Sequence, residues 1–308
     1  MIQYSHRSEQ PLEYFLNLPT VRFDDPEDWA MAAESQGWHG ICASDHFWVT
    51  QAYPHVFVTA TRMTAVTSSI LVTTSFCNNL FRSPAEFAQA SLALQQASKG
   101  RFEAGLGAGW LEDEMTASGM TYPDAPERIS RYVEAMQITR SLLVTGQCQF
   151  QGDFYQIDIS GGQALGPLSD KPPPLIGSVG GRRGIREISP LVDRVEIKAN
   201  ARGTRGGSMD IPVMATVTED EVKQNVDRVK AVAPDKPIGI FLMISSGESE
   251  AVLGAKAMFG NGFLGSFHGH QDEVATALEN LNGIGIDRVQ LTEMVPGSHD
   301  ALAPLLLS

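Results

Sequence analysis

The chain has 308 residues, 43% hydrophobic and 19% charged, the values of a globular protein that can bury a sizeable core. Its 23 basic and 36 acidic residues leave a formal charge of −13, which argues against nucleic acid as a partner because phosphates need a basic face. No run of about 18 apolar residues suggests a membrane span, and MIQYSHRSEQPLEYF lacks the basic-then-apolar pattern of a secretory leader.

Along the chain, short apolar runs with strand character alternate with helical patterns, as βα units around a parallel sheet do. The strands are expected at Glu13–Leu18, Gly40–Ala43, Ile70–Ser75, Phe102–Leu106, Pro174–Ser178, Arg194–Lys198, Ile238–Ile244 and Asp287–Leu291. Eight is the number that closes a barrel, and the spacing is that of one βα unit every 30 to 40 residues or so. The expected fold class is therefore α/β, a (β/α)₈ TIM barrel in one domain over residues 1–308. A doubly wound sheet competes with it. That architecture would show fewer strands and a genuine dinucleotide fingerprint, and neither is found.

Several helices announce their ends. Ser83-Pro84-Ala85-Glu86 is a capping box with proline at the first helical position, and apolar Phe87, Ala90, Leu94 and Ala97 follow at helical spacing. Lys99-Gly100 supplies the stop. A long amphipathic helix spans Arg128–Leu143 and ends at Thr145-Gly146, and Thr218-Glu219-Asp220-Glu221 opens another helix by the same capping logic. Two segments look inserted. Residues 147–159 alternate around Gly152-Asp153, which predicts a hairpin. Residues 199–209, rich in glycine and arginine, predict a mobile loop where a barrel places substrate selection.

Chemistry is sought at the carboxyl ends of the strands. Asp45-His46 directly follows the strand GICA. There an aspartate can fix the tautomer of a histidine that moves a proton near neutral pH. The bland alternative is a capping aspartate and a structural histidine. Gly105-Leu106-Gly107-Ala108-Gly109-Trp110 departs from G-x-G-x-x-G at Trp110. Its spacing frees backbone for a flat ligand, or simply makes a tight turn. Gly177-Ser178-Val179-Gly180-Gly181-Arg182-Arg183 opens a helix with glycines and arginines, the makings of an anion site, with a flexible turn as the alternative. Cys42, Cys77 and Cys148 are odd in number and widely spaced, which reads as free thiols in a reducing cytoplasm. Cys77 is taken as packing. His268-Gly269-His270 lacks a third ligand at defensible spacing, so no metal is expected.

Taken together these segments resemble the luciferase-like oxidoreductase superfamily, and within it the group that uses the deazaflavin coenzyme F420. The residues that carry the resemblance are AESQGW into SDHF, ASKGRF into GLGAGWLEDE, APER opening a long helix, FQGDFY, and PPPLIGSVGG, in the family's order and densest from Pro26 to Pro190. The resemblance implies a cofactor at the carboxyl ends of the strands, with His46 near the reactive ring. It places a non-proline cis peptide at Ser75-Phe76 against the back of the ring. Asn78, Gly107, Ala108 and Gly109 would touch the ring and ribityl chain, and Gly177, Val179, Gly180, Gly181 and Arg182 the phosphate end. Trp48 and Trp110 would wall the pocket. The branch that oxidises sugar phosphates carries a glutamate where this chain has Ala108, which disfavours that substrate.

The function this implies is F420-dependent hydride transfer to or from a small organic substrate, with His46 and Asp45 catalytic and Glu114 a further candidate acid. An FMN-dependent monooxygenase that takes reduced flavin from a separate reductase needs the same barrel. A barrel that has lost its cofactor is the non-enzymatic alternative. By analogy the chain is expected to form a homodimer through Val56–Val66 or Ala85–Ala97.

Overall fold

Eight parallel strands close on themselves in the computed structural model, which describes residues 11–199 and 201–307. Most of the amino-terminal stretch read above for a leader lies outside the described residues, as does residue 200 of the glycine- and arginine-rich segment. The barrel strands are β1 (Glu13–Asn17), β2 (Gly40–Ala43), β3 (Leu71–Thr74), β4 (Phe102–Gly107), β5 (Leu175–Val179), β6 (Arg194–Lys198), β7 (Ile238–Ser246) and β8 (Arg288–Glu293). Each pairs with the next in sequence, and β8 returns to β1 with Glu13 opposite Arg288 and Leu16 opposite Leu291. The expected α/β barrel is thus present, with every expected strand in place.

The helices between strands cover the outside. The main ones are α1 (Pro26–Gln36), α2 (Val56–Val66), α3 (Pro84–Ala97), α4 (Glu112–Ala117), α5 (Ala125–Thr145), α6 (Arg182–Ile188), α7 (Ile211–Ala215) and α8 (Glu219–Val232). Val222, Val226 and Val229 of α8 are buried at helical spacing, and Thr218 and Glu221 form a complete capping box. The matching box at Ser83 is only half made. Ser83 accepts from the Glu86 amide, but the Glu86 carboxylate turns 3.3 Å from Arg82 Nε instead of back to the cap. Gly146, at φ 69°, ends α5 in the left-handed conformation glycine adopts without penalty.

The hairpin pairs Cys148–Gln151 with Gln156–Ile159. Residues 201–209 contain a short 3₁₀ turn at Ala201–Thr204 and are tied at several points. Arg128 reaches the Arg205 carbonyl at 3.2 Å, and Asp210 N donates to Gly203 O at 2.7 Å. No helix of the described residues is long and apolar enough to cross a membrane.

The amino end of the barrel is filled by charge rather than by hydrocarbon alone. Arg288, 2% exposed, is held by Glu103 through both guanidinium nitrogens and by Glu13 at 2.8 Å, with its carbon 3.7 Å from the Phe15 ring centre. Gly40 makes that ring possible, since a Cβ there would fall 2.1 Å from it. Glu196 lies in the same interior against Gly239, with neither oxygen hydrogen-bonded among the described residues. Burial pushes its carboxyl up to about 8, an effect that Arg288 and Arg194 only partly offset.

Candidate active site

Past the end of β2 the chain carries Asp45 and His46 into the carboxyl mouth, and their side chains do different work. Neighbours at a strand end diverge to opposite sides. Asp45, 6% exposed, takes both guanidinium arms of Arg82 and accepts the Asn78 amide at 2.7 Å. It clamps the end of β2 to the segment after β3. The expectation that Asp45 orients His46 is therefore corrected, because its carboxylate is committed elsewhere.

The partner of His46 is Glu114, brought in by the first turn of α4. Glu114 is fully buried; Oε1 lies 2.8 Å from His46 Nδ1, and Oε2 accepts the Phe47 amide at 2.8 Å. An ionised carboxylate there selects the tautomer with the proton on Nδ1 and leaves the Nε2 lone pair available. Two rings fix the imidazole from the sides: Tyr53 with centres 5.4 Å apart and Trp110 at 5.7 Å, both edge-on. The Tyr53 hydroxyl is raised in pKa by burial and by the nearby Glu114 charge. Beside His46 a cleft of about 410 Å³ opens between Tyr53, Phe81 and Arg82.

The Ser75-Phe76 peptide is cis. Ser75 Oγ donates to Gln290 Oε1 at 2.6 Å, and Phe76 lies against β4. That contact changes the meaning of the glycines in GLGAGW. A Cβ at Gly105 would sit 2.0 Å from the Thr74 carbonyl, and one at Gly107 would come within 3.3 Å of Phe76. The missing side chain at Gly107 thus faces the chain's own phenylalanine. Gly109, at φ 79°, passes so close to Asn78 that a Cβ would meet Oδ1 at 2.4 Å. Asn78 Oδ1 itself accepts the Leu80 amide at 2.9 Å, so part of this side chain serves the turn. Ala108 is half-buried and packs toward the core.

At the β5–α6 turn the glycines divide. Gly177 faces outward, where a Cβ would strike Ile188 at 2.7 Å and Val192 at 2.9 Å, so it is a packing glycine and not a phosphate contact. Gly180 lies against Ala201, with a hypothetical Cβ 2.2 Å from that methyl. Gly181 has nothing within 4 Å of such a Cβ and is exposed, and so is Arg182, which has no partner among the described residues. Arg183 instead pairs with Glu187 at 3.1 Å. The open backbone and the unpaired guanidinium suit a phosphate-bearing group.

Three residues of this mouth are missing from the expectations above: Arg82, Tyr53 and Lys198. Arg82 and Tyr53 sit in loops with no pattern of their own. Lys198 had a signal, since Arg194, Glu196 and Lys198 alternate with Val195 and Ile197 along one strand. The expected pocket walls separate: Trp110 borders His46, whereas Trp48 is 37% exposed and lies by Phe47. Cys42, Cys77 and Cys148 are buried free thiols, and burial raises all three pKa values. His268 is buried against the Phe259 ring and His270 caps a helix. Among the described residues no group of three His, Cys, Asp or Glu side chains is placed to hold a metal.

Known proteins are similar to this chain in sequence and fold. The family model described as luciferase-like monooxygenase matches residues 5–285. An F420-dependent glucose-6-phosphate dehydrogenase from Amycolatopsis mediterranei is 30% identical over 138 residues, 43% of this chain. The match spans 41% of that relative's own length. A solved F420-dependent secondary alcohol dehydrogenase, in complex with an F420-acetone adduct, superposes with a TM-score of 0.73 at 19% identity, covering 95% of this chain and 96% of that one. A monooxygenase from Streptomyces bottropensis does so at 0.74 and 16% identity, covering 96% and 97%. At these identities the two structures speak for the fold alone.

Proposed function

The chain belongs to the luciferase-like monooxygenase family, and from that premise we propose that it is an F420-dependent oxidoreductase acting on a small organic substrate. The observation that carries the proposal is the imidazole of His46, fixed at the barrel mouth by Glu114 with Nε2 left available. Gly181 and Arg182 would hold the phosphate end of the coenzyme, and Phe76 and Asn78 would border its ring. When bound, the deazaflavin supplies the carbon that takes or gives hydride. The protein handles the proton. A substrate hydroxyl whose carbon loses hydride must also lose the proton on oxygen, and His46 Nε2 is placed to accept it. In the reverse direction the same nitrogen donates. Tyr53 and Trp110 hold the imidazole edge-on, and Asp45 with Arg82 holds the strand end that carries it.

The named relatives support F420 as the cofactor, although the match covers under half of their length. Their sugar-phosphate substrate is not carried over, because Ala108 offers no acid. Homodimerisation through α2 belongs to the same proposal, since Val58 is 57% exposed on it. Light scattering should show a dimer, and V58D should shift it toward monomer.

Side-by-side titration with F420 and FMN, followed by tryptophan fluorescence and equilibrium dialysis, tests the cofactor. Tighter binding of F420 is expected. Tight FMN binding without F420 binding would make the chain a flavin monooxygenase, and binding of neither would favour a barrel without a cofactor.

A further inference from the structure

One charged side chain at the mouth has no part in that reaction. Lys198 ends β6, half-buried, with Nζ 5.3 Å from the Trp110 ring centre and 5.9 Å from that of Phe241. Among the described residues the ammonium has no carboxylate and no hydrogen-bond partner. Arg202, in the following turn, is directed instead to Thr216 at 3.1 Å and Glu221 at 3.3 Å. Glu196, two positions earlier on the same inward face, lies against Gly239 deeper in the barrel.

An ammonium partly withdrawn from water is compensated only in part by two ring faces. Burial draws its pKa down to about 8, so the site would be relieved by an anion. Trp110 connects this cation to the reaction centre, because the same indole meets His46 edge-on at 5.7 Å. A group bound at Lys198 therefore lies one ring away from the imidazole.

We propose that Lys198 is a specificity-determining residue that receives a carboxylate of the substrate, so that the substrate class is a small organic acid. The proposal rests on the reading of this mouth as the substrate site. A carboxylate fits better than a phosphate for two reasons. The subsite offers one ammonium between aromatic walls, and phosphate recognition draws on several donors or a second cation. The open backbone and unpaired guanidinium that suit phosphate lie at Gly181 and Arg182, on the β5–α6 turn.

Benzoate and its neutral isostere benzamide are the probes, titrated against the full chain with tryptophan fluorescence as the readout and Trp110→Phe identifying the reporter. Wild type should prefer benzoate by about tenfold or more. K198M should erase that preference and K198R should restore most of it, with far-ultraviolet circular dichroism unchanged. Equal binding of the two probes to wild type, or benzoate binding unaffected in folded K198M, would overturn the proposal. If K198M does not fold, the wild-type ratio and K198R decide. F420 titration of the same samples separates the two readings. Loss of F420 affinity in folded K198M would assign the ammonium to the cofactor and refute the inference. Benzoate preference without F420 binding by wild type would refute the cofactor reading and leave the anion site standing.

Discussion

A neutral imidazole carries its proton on one nitrogen, and a carboxylate 2.8 Å from Nδ1 selects which one. For His46 that carboxylate is Glu114, contributed from 68 positions along the chain. Two kinds of failure should therefore separate by mutation. H46A should lower kcat/KM by about 10²-fold to 10⁴-fold, and E114Q by a smaller factor, the loss in each exceeding any loss of F420 affinity. D45A should act on folding instead, since it strips the Arg82 guanidinium, 10% exposed, of its two-armed partner and leaves it only Glu86 at 3.3 Å. A loss of about 3–5 kcal/mol in urea unfolding is expected. If D45A were stable and slow while E114Q were unstable and fast, the assignment of roles would be reversed. Adjacency made Asp45 the natural partner to expect for His46. Sequence records adjacency but not the direction in which two neighbouring side chains leave a strand end.

At the scale of elements, legibility follows how local the cause is. The barrel strands could be read because period, length and turn residues are all written within a few positions of each strand. The cap at Thr218 was equally local, and T218A should cost about 1 kcal/mol of stability by thermal unfolding. No loss there would mean α8 is held by packing alone. The Ser83 cap shows the limit: its glutamate answers to Arg82, a competitor outside the motif. The GLGAGW glycines show it again. Their spacing signalled removed side chains, but what meets each is set by the fold: the Thr74 carbonyl at Gly105, Phe76 at Gly107 and Asn78 at Gly109. Gly177 and Gly181 look alike in sequence, yet one packs on Ile188 and the other opens to solvent.

Across the whole molecule, the barrel separates a charged floor from an aromatic mouth. Glu13, Glu103, Glu196, Arg194 and Arg288 come from four strands, so their meeting is a property of closure that no local window contains. The Glu196 carboxyl, lifted from 4.5 to about 8 by burial, keeps its proton in the folded chain after the unfolded chain has lost it. Its contribution to stability is full below about pH 4.5 and declines as pH rises toward 8, at about 1.4 kcal/mol per unit. E196Q removes this term. Relative to wild type it should gain about 2.5 kcal/mol between pH 5.5 and 7.5 in urea melts, and parallel curves would contradict the assignment. At the mouth, the claim that matters is where the coenzyme sits. A crystal soaked with F420 measures it directly. Density is expected with the deazaflavin ring between His46 and Phe76 and the phosphate on Gly181 and Arg182. Density elsewhere, or FMN in that place with F420 excluded, would contradict it.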